Sequence, residues 1–179
     1  GTRARKTRTK SFNAFSSIDY PETAVFRDMR LIPFLRRPDP MPPVQFYEQL
    51  DPAVFVLRLV PGMRANIIPL LAPHYRALVV ESFGVGGLPG GEHGEMYARL
   101  QDWCTSGRLA VFTTQVPHEG CDLAVYEVGR SVKELPGVLE AKDMTPEAVA
   151  VKLMWALGQT TDRAEAMRLF TTPVEWDIV

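Results

Sequence analysis

The sequence predicts an α/β fold, with a parallel β-sheet flanked by helices. From residue 54 onward, short apolar runs alternate with helical patterns, and the segments between them are rich in glycine and proline. The chain has 179 residues, 46% of them hydrophobic, which is enough for a substantial core. In such folds the loops at the carboxyl ends of the strands carry binding sites, so we expect the functional residues there.

Proline content and apolar patterning divide the chain into three segments. Residues 1–35 contain a basic start and a short hairpin. Four prolines lie between positions 38 and 43, so residues 36–53 are interpreted as a linker. Residues 54–179 are then expected to form a second unit, which contains the parallel sheet.

The predicted strands are short apolar runs that end in turn residues. The hairpin is expected over residues 24–35, with Asp28 and Met29 at its turn. Three further runs are long enough for buried strands of a parallel sheet. They are Val54–Val60, Ala77–Phe83 and Leu109–Thr113.

Helices are predicted at residues 64–72 and 92–106, and after Thr145 and Asp162. The second of these has apolar residues along one face and a stop at Gly107. Thr145-Pro146-Glu147 combines an N-cap, a first-turn proline and an acid near the positive end of the helix dipole. That helix is expected to stop at Gly158. Asp162 is followed three residues later by Glu165, which resembles a capping box.

Basic side chains are concentrated at the start of the chain. Residues 1–10 contain five of the 20 Lys and Arg residues and none of the 21 Asp and Glu residues. One interpretation is a nucleic-acid arm, because clustered cations bind phosphate. The other is that repulsion from Arg3, Arg5 and Arg8 favours the neutral form of Lys6, which would suit this lysine as a proton acceptor.

Cysteine and histidine usage indicates the compartment and argues against a metal site. Two cysteines make no disulfide framework, so we expect a reducing, cytoplasmic location. No stretch approaches the roughly 18 to 20 uncharged apolar residues of a membrane span, so none is expected. His74, His93 and His118 are too scattered for zinc, and no metal or other cofactor is expected. Cys104 is expected in the core. Cys121 would need His118 as its activating base.

A glycine-rich loop, residues 84–91, follows the second predicted strand. Proline at position 89 replaces the third glycine of a dinucleotide loop, and this disfavours a nucleotide site. Two interpretations stay open, a tight turn that needs positive φ and a loop that makes room for a partner or a small ligand. Thr113 and Thr114 end the third predicted strand. Catalytic hydroxyl groups occur at such positions, although most threonines at strand ends are structural.

Four sequence segments occur together in a characteristic order. They are GTRARKT with SFNAFSS (1–7 and 11–17), VVESFGVG (79–86), TTQ (113–115), and DMTPEA through KL (143–153). In order and approximate spacing they resemble bacterial L-asparaginases, and within that family the cytoplasmic type I branch. The resemblance covers essentially the whole chain.

The resemblance implies a two-domain α/β amidohydrolase that converts L-asparagine to L-aspartate and ammonia through a threonine nucleophile. Members are homodimers or homotetramers in which a neighbouring subunit completes each active site. Lys6 matches the family's catalytic lysine, which relays a proton, so the basic start is interpreted as the surroundings of this lysine and no nucleic-acid partner is expected. Ser82, Gly84, Gly86 and Gly87 match a loop expected to contact substrate or a subunit interface.

The sequence also departs from the family pattern. The two threonine motifs of the family have no counterpart here, so the chain resembles the C-terminal half of an asparaginase, and its expected partner is the N-terminal half. The resemblance implies that residues 1–35 are the last segment of the larger α/β domain and that residues 54–179 are the small C-terminal domain. Gly87 stands where many members have asparagine. Glu81 and Val116 replace residues that bind an activating asparagine in some type I members, so that regulation is not expected. The alternative function is a non-catalytic binding or interaction domain that retained the fold.

Overall fold

The computed structural model describes residues 2–35, 43–90 and 94–178. The predicted linker at 36–53 and the predicted helix at 92–106 therefore fall partly outside the described residues. Gly91 and His93 lie wholly outside them. Residues 43–53 form no helix or strand. In the described ranges, no helix is both long and apolar enough to cross a membrane.

A four-stranded parallel sheet forms the centre of the molecule. Its strand order is β5-β6-β7-β8, with β5 at Val54–Arg58, β6 at Ala77–Ser82, β7 at Leu109–Thr114 and β8 at Val138–Glu140. Every residue of β6 and β7 is buried, as expected for strands covered on both faces. Strand β5 lies at the edge, where the side chain of Val56 is 43% exposed, so the buried strand expected at this position is only half buried.

Helices cover both faces of this sheet, which confirms the predicted fold class. Successive strand residues point to opposite faces, so Leu78 and Val80 face one core and Val79 faces the other. Helices α1, α2 and α3 pack over the first core, and α4 and α5 pack over the second. Their bounds are α1 Ile67–Leu71, α2 Glu95–Thr105, α3 Glu127–Lys133, α4 Pro146–Gln159 and α5 Arg163–Thr171.

The predicted helix starts of α4 and α5 are confirmed. Thr145 Oγ1 accepts a hydrogen bond from the Ala148 amide at 3.3 Å, and Asp162 Oδ1 accepts one from the Glu165 amide at 2.7 Å. The second half of the predicted capping box is not formed, because the Asp162 amide donates to Thr160 Oγ1 and the Glu165 carboxylate pairs with Arg168. The predicted end at Gly158 is wrong, since α4 continues to Gln159. A Cβ at Gly158 would lie 2.5 Å from the carbonyl oxygen of Gln49, so this glycine permits a close backbone approach.

Two hairpins precede the sheet. Strands β1 (Ala4–Lys6) and β2 (Phe15–Ser17) pair with Lys6 opposite Phe15. Strands β3 (Ala24–Arg27) and β4 (Arg30–Pro33) form the predicted second hairpin. Its two turn residues, Asp28 and Met29, have φ values of 49° and 60°, as a two-residue type I′ turn requires.

Candidate functional site

The start of the chain packs against the N-terminus of α4. Arg3 Nη1 lies 2.8 Å from Asp143 Oδ2 and donates to the Asp143 carbonyl at 2.9 Å. Arg5 Nε lies 3.0 Å from Glu147 Oε1. Thr145 Oγ1 donates to the carbonyl oxygen of residue 2 at 3.0 Å. Two of the four resembling segments, about 140 residues apart in sequence, are therefore in direct contact.

Lys6 projects away from these ion pairs. Neighbouring side chains of a strand point to opposite sides, so Arg3 and Arg5 face α4 while the side chain of Lys6 is exposed. The expected cluster of free cations around Lys6 is not observed, because Arg3 and Arg5 each have a carboxylate partner. Arg8 donates to the carbonyl of Asn13.

Asp19 links the first hairpin to the loop after β7. Its Oδ1 lies 3.0 Å from Nδ1 of His118, and its Oδ2 accepts a hydrogen bond from the Glu119 amide at 2.8 Å. His118 therefore contacts Asp19, whereas the Cys121 thiol, for which His118 was the local candidate base, donates to the Val85 carbonyl at 3.5 Å. The sequence offered no direct signal for the Asp19 contact, since Asp19 lies about 100 residues from its partners.

Both cysteines are buried and unsuited to nucleophilic chemistry. Burial raises the pKa of Cys121 to about 12, with a smaller contribution from Glu140. Burial also raises the pKa of Cys104 to about 11. Because the thiolate is the reactive species, neither side chain is activated. Among the residues that the structure describes, no three His, Cys, Asp or Glu side chains form a group able to hold a metal ion.

The glycine loop after β6 is a tight turn. Gly84 and Gly86 have φ values of +51° and +146°, which favour glycine. The Gly87 amide donates to the Phe83 carbonyl at 2.7 Å, and the Phe83 amide donates back to Gly87 at 3.1 Å. A Cβ at Gly86 would lie 2.7 Å from Cδ2 of Leu123, so the loop packs closely against the following segment.

Hydroxyl groups at the carboxyl edge of the sheet are used to join its parts. Ser82 is fully buried, and its Oγ donates to the Thr113 carbonyl at 2.8 Å. Thr114 Oγ1 donates to the carbonyl of Gly84 and accepts a hydrogen bond from the Val116 amide at 3.0 Å. Thr114 is therefore structural. Thr113 Oγ1 is buried without a hydrogen-bond partner among the described residues.

Gln115 is a further residue that connects strands at this edge. Its Nε2 donates to the carbonyl of Leu59 at 2.7 Å and to that of Glu81 at 2.9 Å. This side chain belongs to the segment TTQ, so the resemblance marked its position but not its role. Near it, a cavity of about 10 Å³ is lined partly by Arg5, Asp19 and Thr113. This volume holds about one water molecule and excludes a larger ligand.

The four resembling segments thus meet at one end of the molecule. The contacts described above join the carboxyl ends of β6 and β7 to the start of α4 and to the first hairpin. Lys6 lies on the exposed side of β1. Gly84 is also exposed, Gly87 is half-buried, and Gly86 and Ser82 are buried. An exposed primary amine on a fixed strand is able to exchange a proton with a group placed against it.

Comparisons with known proteins show which family the sequence resembles. Residues 53–170 match the model of the Glutaminase/Asparaginase C-terminal domain. The chain is 35% identical to the L-asparaginase of Thermococcus kodakarensis, over 99% of this chain and 53% of that protein. It is 34% identical to a Glutamyl-tRNA(Gln) amidotransferase subunit of Metallosphaera sedula, over 96% of this chain and 39% of that protein.

Solved structures share the fold. The thermostable L-asparaginase from Thermococcus kodakarensis superposes with a TM-score of 0.91 at 34% identity, over 99% of this chain and 53% of that one. L-asparaginase I from Vibrio cholerae gives 0.85 at 24% identity, over 99% and 54% of the two chains, and this likeness concerns the fold alone. The chain thus spans about half the length of these asparaginases. Because the family model matches most of the sequence, the chain belongs to the glutaminase/asparaginase family.

Proposed function

We propose that this chain is the C-terminal part of an L-asparaginase, in which Lys6 relays a proton during hydrolysis of the side-chain amide of L-asparagine. The observation that supports this most strongly is the attachment of β1 to α4. Arg3 and Arg5 hold the strand from one side, and Lys6 is presented on the other side. A catalytic group needs such a fixed support, because small displacements slow proton transfer.

The proposed reaction needs a nucleophile that this chain does not supply. A threonine hydroxyl of the N-terminal half attacks the amide carbon, and the base accepts its proton and passes it to the amide nitrogen. The C–N bond then breaks, ammonia leaves, and the acyl-enzyme ester remains. Water then attacks the ester, and L-aspartate is released while the threonine regains its proton. A hydroxyl is a poor nucleophile until a base accepts its proton, and Lys6 is proposed to belong to that relay.

The remaining features of the proposal follow the family resemblance. Residues 1–35 are the end of the large domain, 36–53 the linker and 54–179 the C-terminal domain. The protein is a cytoplasmic homodimer or homotetramer of the type I branch, with the glycine loop near a substrate or a subunit boundary. The exposure of Gly84 is compatible with such a contact, whereas the burial of Ser82 argues against a direct one for that side chain.

Replacement of Lys6 tests the proposal. In the complete protein, Lys6→Met is expected to lower ammonia release from L-asparagine by at least about a hundredfold, which is the size of a general acid–base contribution. The thermal midpoint should be retained, because the Lys6 side chain is exposed. Lys10→Met, an exposed lysine in the same segment, is the matched control and should keep its turnover. Near-normal turnover of Lys6→Met would exclude the assignment.

A second candidate function is a role within an amidotransferase of several chains. The 34% identity to a Glutamyl-tRNA(Gln) amidotransferase subunit favours it. Parallel assays of the complete protein with L-asparagine and L-glutamine distinguish the two. A clear preference for asparagine, without added proteins, supports the asparaginase. Ammonia release that requires a separate protein chain supports the amidotransferase. Turnover of neither amide under any of these conditions would favour the non-catalytic interaction domain.

A further inference from the structure

A second polar cavity lies at the opposite end of the sheet, where the amino ends of β6 and β7 meet the start of α5. Its volume is about 360 Å³, within the range of small-molecule sites. Three arginines from different connections line it, Arg76 before β6, Arg108 before β7 and Arg163 at the first turn of α5. His74 and the hydroxyl residue Ser106 add to the lining.

The guanidinium groups of Arg76 and Arg108 are held in place by the fold. Arg108 donates to the carbonyls of Tyr75 and Ala72 at 3.3 and 2.8 Å and lies 5.2 Å from the Trp103 ring centroid. Arg76 Nη1 lies 2.6 Å from Asp51 Oδ2. Arg108 also donates to Ser106 Oγ at 2.6 Å, and Arg76 to the Leu157 carbonyl at 3.5 Å. An arginine has five N–H donors, so both side chains still keep donors that these bonds do not use.

Arg163 differs from the other two arginines. It is half-buried, and it makes no hydrogen bond and no ion pair with any residue in the described ranges. Its guanidinium lies directly over Gly137, in the space that a Cβ at that position would occupy. The fold therefore holds the Arg163 guanidinium group beside the cavity, and none of the described residues forms a hydrogen bond or ion pair with it.

The charge around the cavity is unbalanced. None of the described lining residues is Asp or Glu, and Asp51 is the carboxylate paired with Arg76. Backbone carbonyls satisfy donors of Arg108 but do not neutralise its charge. Within the described part of the chain, the three arginines that line this cavity have one carboxylate partner between them, and this excess of positive charge attracts an anion. A planar guanidinium matches two oxygens of a carboxylate or phosphate.

We propose that this cavity binds a small oxyanion, a metabolite bearing phosphate or several carboxylates, through the unused N–H groups of Arg76, Arg108 and Arg163. The proposal does not depend on the amidohydrolase activity. Isothermal titration of the full-length protein, in 0.15 M sodium chloride, with sodium pyrophosphate and separately with citrate tests it. The anion that gives saturable one-to-one binding identifies the chemical class. Saturable binding of both would indicate a general oxyanion site.

Variants of Arg163 locate the binding. Arg163→Gln should weaken the affinity by about tenfold or more, the usual effect of losing a charge-assisted contact. Arg163→Lys keeps the charge and the aliphatic part of the side chain, so it should give an intermediate loss of affinity. It replaces the Gln variant as the test if that variant fails to fold. Arg168→Gln, on the same helix but away from the cavity, is the control and should bind normally. Absence of saturable binding by either anion, or unchanged affinity in a folded Arg163 variant, would overturn the proposal.

Discussion

Arg3 and Asp143 form a mostly buried ion pair that joins the start of the chain to the segment just before α4. The two side chains are 7% and 20% exposed, and their closest atoms are 2.8 Å apart. Arg3 Nε also donates to the carbonyl of Trp176 at 2.9 Å, and its guanidinium lies 5.4 Å from the centre of the Tyr20 ring. One side chain therefore holds together β1, the start of α4 and the C-terminal tail, which is the segment after α5 that contains Trp176.

Replacing Arg3 should destabilise the protein strongly. Arg3→Met retains most of the apolar volume but leaves Asp143 without this partner, and loss of one member of a buried pair costs about 3 kcal/mol. Urea unfolding should show this decrease in the free energy of unfolding. Arg5→Met is the matched control. Its partner Glu147 is 63% exposed, so the cost should stay below about 1 kcal/mol. Equal costs for the two variants would contradict the interpretation.

The contact between Lys152 and Asp177 gives a second stability prediction. Lys152 Nζ lies 2.6 Å from Asp177 Oδ2, both side chains are almost completely buried, and Nζ also donates to the Thr172 carbonyl. Asp177→Asn keeps an acceptor for the Val174 amide but leaves the lysine charge without its counter-ion. We expect a loss of about 3 kcal/mol, measured by urea unfolding.

The exposed pair on α5 is a suitable control for that variant. Arg168 and Glu165 lie 2.7 Å apart, but their side chains are 61% and 42% exposed. Solvent and salt screen such a pair, so Glu165→Gln should leave the free energy of unfolding nearly unchanged. A stability loss in Asp177→Asn as small as that in Glu165→Gln would show that the tail is not held by the buried pair.

Local signals in the sequence predicted the central strands and the starts of α4 and α5 well. An N-cap such as Thr145 and an apolar run such as Ala77–Phe83 depend on neighbouring residues only. They can therefore be predicted from the sequence without knowledge of the tertiary structure. Helix α3 and strand β8 were not predicted, because seven and three residues are too short for a clear period.

Long-range pairing explains what the sequence could not predict at the candidate site. Clustered arginines in the first ten residues suggested free cations around Lys6, but Arg3 and Arg5 are paired with acids about 140 residues away. The resembling segments contain both partners, yet spacing along the chain does not show which side chains meet. Strand β1 was not predicted either, so the separation of Lys6 from Arg3 and Arg5 by strand alternation became evident only in the structure.

Gly120 is predicted to be intolerant of any side chain. Its φ is +68°, and a Cβ would lie 2.6 Å from the Lys142 carbonyl oxygen, a backbone atom that cannot move freely. Gly62 has a similar φ of +79° but open space around it. Gly62→Ala should cost about 1 kcal/mol for the strained backbone, and Gly120→Ala about 1–3 kcal/mol more for overpacking. Equal thermal midpoints for the two variants would exclude the steric effect.

The buried thiols make stability sensitive to alkaline pH. Burial raises the pKa of Cys121 to about 12, above the usual value for a thiol of an unfolded chain, which is near 9. The folded state therefore holds this proton more tightly, and its stabilising effect is lost as pH rises from about 9 toward 12. The decrease should be up to about 1.4 kcal/mol per pH unit in that window.

Comparison with a variant isolates this effect from other titrations. In urea unfolding between pH 9.5 and 11, Cys121→Ala should lose less stability with rising pH than the unmodified chain, since the alanine does not ionise. At pH 8 a thiol-reactive disulfide reagent should label Cys104 and Cys121 only after unfolding, because both are buried and protonated. Parallel pH profiles for the two proteins would show that the pKa of Cys121 is not raised. Rapid labelling of the native chain would show that a thiol is accessible.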